Sequence, residues 1–86
     1  MVEPQDHERL DSARRRAGLS VEALWIRYFE LGGLASVIEV DAFLRGALVP
    51  ARLERDVLAH AINEALVEKG VASALDYSFP AEPGLA

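Results

Sequence analysis

Asp56, His60 and Glu64 recur every four residues and so share one side of a helix, a spacing at which an imidazole and two carboxylates can approach one metal ion. Such a site needs a third or fourth ligand from elsewhere, and the sequence offers no residue whose position can be named. The row lies opposite the apolar stripe of its own segment, with Asn63 nearby, and reads as a solvated polar face. Glu39 and Asp41 stand two apart, so on a helix they point in different directions and cannot share a proton. His7, in a charged leader, has no sequence partner for catalysis. The Gly32-Gly33 pair lacks the flanking pattern of a phosphate-cradling loop. The chain has no cysteine, which removes a disulfide framework, a thiolate zinc site and a cysteine nucleophile together. The expectation is a non-catalytic protein with no cofactor and no metal.

Those side chains must be positioned by a small core. Eighty-six residues, 51% of them hydrophobic, suit one domain. Its expected extent is residues 1–70, followed by a partly docked or flexible tail over 71–86. Fourteen acids against nine bases give a net charge of −5, which phosphate backbones repel unless the bases cluster. The one cluster, Arg14, Arg15 and Arg16, sits among Glu3, Asp6, Glu8 and Asp11 and reads as the end of a solvated helix. The first twenty residues hold four acids and four bases with no apolar run, unlike a signal peptide, and no later stretch approaches a membrane span. A soluble cytoplasmic protein is expected, and the alanine, arginine and leucine bias points to a bacterial gene.

The spacing of apolar residues predicts four helices and no strand. The first carries Leu10, Ala13 and Ala17 and stops at Gly18. In the second, Ser20 is the N-cap and Gly32 and Gly33 end the helix. Ser36 and Glu39 form an S-x-x-E capping box opening the third, which buries Val37, Val40, Phe43 and Leu44 and stops at Gly46. Pro50 stands at or near the start of the long fourth helix, with Leu53, Val57, Leu58, Ala61, Ile62, Ala65 and Leu66 on one face and Gly70 at the end. Beyond it, Leu75, Tyr77 and Phe79 are expected to dock on the bundle. The fold class is all-α: a small four-helix globule, an orthogonal bundle with helix-turn-helix-like order and an irregular C-terminal tail.

Two resemblances bear on function. The stretch FELGGLASV resembles the core motif of acyl and peptidyl carrier proteins, where a phenylalanine, a leucine and two glycines lead to a serine bearing phosphopantetheine. The resemblance implies a carrier-like domain modified on Ser36. In that family, however, the serine follows the second glycine by two positions, beside aspartate or histidine and leucine, whereas Ser36 follows Gly33 by three, between Ala35 and Val37. ARRRAGLSVEAL, then a serine-capped helix ending LRG, then LERDVLAHAINEAL, resembles the helix order of repressor-type helix-turn-helix domains. That resemblance implies a DNA-binding transcriptional regulator whose recognition helix is Val37 to Gly46. Here that helix presents Glu39 and Asp41, with Arg45 as its one cation, and about five extra residues separate the two helices of the turn.

The second helix is the most unusual element. Val21, Leu24, Trp25, Tyr28, Phe29 and Leu31 cover about 160° of it at 100° per residue, and Ile26 lies beyond that arc. One packing neighbour needs less. Either this helix is the central element of the globule, or part of its aromatic surface meets another chain. The function expected is a protein-interaction or regulatory module. It docks on a protein partner or on its own copy as a homodimer, not on nucleic acid or membrane, with Trp25, Ile26, Tyr28 and Phe29 as anchors.

Overall fold

A computed structural model describes residues 5–70, so the expected tail with Leu75, Tyr77 and Phe79 lies outside the described residues. Four helices make up the globule: α1 (Asp6–Arg16), α2 (Val21–Glu30), α3 (Val37–Arg45) and α4 (Arg52–Glu68). None of them is long and apolar enough to cross a membrane.

Local chemistry explains where each helix starts and stops. Asp6 and Glu8 lie in the positive first turn of α1 and Arg14, Arg15 and Arg16 in its negative last turn. The Ser20 hydroxyl accepts the Ala23 N–H at 3.0 Å, capping α2. At the other end, Gly32 N–H donates to the Phe29 carbonyl and Gly33 N–H to the Tyr28 carbonyl, both at 3.0 Å. This is a Schellman motif, and it requires the left-handed φ of 97° at Gly32. The expected capping box is present on α3: Glu39 N–H donates to the Ser36 hydroxyl at 3.1 Å and Ser36 N–H to Glu39 Oε1 at 2.9 Å. That helix ends on Gly46 at φ 76°, where the His7 ring lies so close that a Cβ would stand 2.7 Å from it.

Helices α1 and α2 each pack on both α3 and α4. The buried core joins Leu10 and Ala13 of α1, Leu24 and Tyr28 of α2, Val40, Phe43 and Leu44 of α3, and six residues of α4 from Leu58 to Leu66. Helix α4 buries more residues than any other helix, while α2, although packed on two neighbours as its wide apolar arc suggested, buries only Leu24 and Tyr28. The reason is the alanines of α4: Ala59, Ala61 and Ala65, all buried, let neighbouring helices approach its backbone on more than one side. Leu53, expected in the core, is exposed, and the buried stripe begins a turn later.

The burial of α4 also corrects the polar row. His60 and Glu64 face solvent and lie 3.5 Å apart, but Asp56 is buried and accepts from Arg55 Nη1 at 3.2 Å. Arg55 is itself buried. Its Nε and Nη2 donate to the two oxygens of buried Asp6 at 2.9 and 2.8 Å, which ties the first residue of α1 to α4. The bonds to Asp6 raise the Arg55 pKa above its ordinary value despite burial. Among the described residues every buried side-chain polar atom has a partner.

Arg55→Ala would leave Asp6 buried without its counter-charge, and breaking a buried pair in this way costs about 3–5 kcal/mol. Urea unfolding followed by circular dichroism should show a loss of that size. A loss below about 1 kcal/mol would mean that Asp6 turns out to water.

Candidate interaction surface

The elbow between α2 and α3 is built on one tyrosine. Tyr28 is fully buried, and its hydroxyl donates to Glu54 of α4 while accepting the Ala35 N–H at 2.8 Å. The same Glu54 oxygen accepts the Leu34 N–H at 3.0 Å. A carboxylate and a phenol thus satisfy two backbone donors of a connection that has no regular structure. Gly33 lies flat on the Tyr28 ring, where any Cβ would overlap it. On the far side of α2, Arg27 donates twice to Glu68, at 2.7 and 3.1 Å, and these bonds hold the Glu68 pKa below the usual carboxylate value.

Of the anchors expected from sequence, Tyr28 is core and offers no surface to a partner. The correction has a plain cause: α4 supplies a carboxylate at the depth its hydroxyl reaches, so the whole ring is drawn inside. Trp25 is half-buried. Its indole N–H donates to the Ala35 carbonyl at 3.0 Å, and its ring lies 5.5 Å from that of Phe29. Phe29 is 60% exposed and Ile26 51%.

Two further apolar side chains are exposed near Ala35, one on each side of it in the chain. Leu34 is 89% exposed and Ile38 78%. Neither is among the anchors expected from the sequence, though Ile38 carries a legible signal. It lies on the opposite side of α3 from Val40 and Phe43, where a helix of a monomeric domain ordinarily carries a polar residue. Trp25 and Phe29 on α2, and Leu34 and Ile38 on either side of the Ala35–Val37 stretch, thus lie at the two ends of the α2–α3 elbow, which the Trp25–Ala35 bond joins.

The other candidate residues have local partners. Ser36 is exposed, with its hydroxyl engaged in the capping box. Arg14 and Arg15 are ion-paired with Asp11 at 2.8 and 2.9 Å, and Arg45 with Asp41 at 2.8 Å. A cleft of about 360 Å³ beside α1 is lined by His7, Glu8, Asp11, Arg15, Arg16 and Leu44. Its two carboxylates offset its two guanidiniums, leaving no field of one sign to select an ion. Among the described residues no three His, Asp or Glu side chains converge as metal ligands. Comparison of the chain with protein-family models, with curated proteins and with solved structures returns no match.

Burial, together with the bond to Glu54, pushes the Tyr28 pKa from 10.0 up to about 12. Below pH 10 the phenol is protonated in both folded and unfolded chains, and its stabilising effect is complete. As pH rises from 10 towards 12 the unfolded chain ionises first, so stability falls, by up to about 2–3 kcal/mol from this group. In urea titrations across that range Tyr28→Phe should remove this part of the decline. It should also be less stable than the parent at neutral pH, where it leaves the Ala35 N–H without an acceptor. An unchanged alkaline decline would show that Tyr28 is not its source.

Proposed function

We propose that this chain is a small, non-catalytic helical module that binds another protein through the α2–α3 elbow. The observation that carries this reading is the exposure of Phe29, Ile26, Leu34 and Ile38 around a half-buried tryptophan. Monomeric domains bury such side chains when they can, and contiguous apolar surface most often marks a contact with another macromolecule. Aromatic anchors on a rigid base bury much area at little entropic cost. The base here is stiff for a stated reason: the elbow's backbone is bonded to Tyr28 and Glu54. A regulatory or adaptor role in the cytoplasm fits a small acidic chain without cysteine.

A photo-cross-linking amino acid placed at position 29, and in a second sample at position 60 on the polar face of α4, tests this in the cells that make the protein. Position 29 should give discrete adducts and position 60 few. An adduct of twice the chain mass would identify self-association, and any other mass a different partner. Equal labelling at the two positions would sink the proposal.

A further inference from the structure

The charges around the elbow narrow the chemistry of its partner, on the premise that the elbow is an interaction surface. At 100° per residue, Glu22, Trp25, Ile26, Phe29 and Glu30 fall within about 140° of α2. Glu22 lies one turn before Ile26 and Glu30 one turn after it, and both are exposed. The cation of this helix, Arg27, lies outside that arc and is held by Glu68. On α3, Ile38 is followed directly by exposed Glu39, while Asp41 and Arg45 neutralise each other. The apolar strip of α2 is thus bracketed by two carboxylates, Glu22 and Glu30, while Glu68 holds the cation of the same helix and the Glu39 carboxylate caps the Ser36 N–H. The chain as a whole has the same sign, at −5.

This pattern selects one occupant by charge complementarity. From Glu22 to Glu30 the strip is about 12 Å long, two turns of helix, and Trp25 and Phe29 form an i, i+4 ridge of the kind that a second helix packs along. We propose that the elbow receives an amphipathic helix of another protein whose apolar stripe is flanked by lysine and arginine. A second copy of this chain is the wrong partner: a two-fold contact sets a surface against itself and would bring these acids together. Phosphate backbones and anionic bilayers are repelled for the same reason.

The test uses the full chain and its single tryptophan, Trp25, as the fluorescent reporter. The probes are two synthetic helical peptides of about 14 residues with the same leucine stripe, flanked by lysine and arginine in one and by glutamate in the other. The basic peptide should shift Trp25 emission and bind at least about tenfold more tightly than the acidic one, less so as salt is raised. The double variant Glu22→Gln/Glu30→Gln should weaken that binding about fivefold, while Glu8→Gln/Glu64→Gln, of equal charge but on other faces, should change it less than about twofold.

Equal binding of the two peptides, or equal losses in the two double variants, would overturn the proposal. So would binding to neutral phosphatidylcholine vesicles but to neither peptide. If neither peptide binds while cross-links at position 29 persist, the elbow is an interaction surface for a partner of other chemistry. If those cross-links are absent as well, both readings fall.

Discussion

The hydroxyl of Tyr28 lies between α2 and α4, donating to Glu54 and accepting the Ala35 N–H, and the course of the chain from α2 into α3 follows from that bond. A phenol at this depth must find partners, because an unsatisfied buried hydroxyl costs about as much as several ordinary hydrogen bonds contribute. Once it has them, the chain after α2 has little choice. Gly33 is pressed against the ring, Leu34 and Ala35 are tied by their amides, and Ser36 begins α3 in a fixed direction. Trp25 is drawn against the same connection through the Ala35 carbonyl. The exposed positions of Leu34 and Ile38 are consequences of this geometry.

A second polar knot ties α1 to α4. Arg55 is one residue from Glu54 on α4, and it grips Asp6 at the start of α1. Two consecutive residues of one helix thus fix the elbow that leads into α3 and the N-terminus of α1. The alanine-rich stretch that follows lets the other helices close on α4, so most of the apolar core gathers there. This division leaves α2 with few buried side chains. Leu24 and Tyr28 go inside, whereas Ile26 and Phe29 are only partly covered by the described residues.

Polar and apolar groups are therefore used in opposite ways. The buried acids and bases are consumed in holding helices together, with bonds that satisfy every buried polar side-chain atom described. The apolar residues about the elbow exceed what the core takes in. A rigid support under exposed aromatic and aliphatic side chains is the arrangement in which binding loses least conformational entropy. On the proposed reading, Glu22 and Glu30 along its rim would give that surface a negative sign and favour cationic partners.

Helix boundaries were legible in the sequence because they depend on neighbours a few residues apart. Gly18, Gly46 and the Ser36–Glu39 capping box act through local backbone bonds, and all are found where their types and spacing placed them. The apolar spacing of α1 was legible for the same reason, as was that of α3 except at Val37, expected inside but only half-buried outside the core. Burial was not, since it depends on which helix lies opposite. A wide apolar arc cannot reveal which of its residues the neighbours cover, so Leu53, expected inside, is exposed and Asp56, expected on a solvated face, is buried. Tyr28 and Phe29 are adjacent aromatic residues on one helix, and no local rule separates them. Only the arrival of Glu54, 26 residues further along the chain, draws Tyr28 inside while Phe29 stays at the surface.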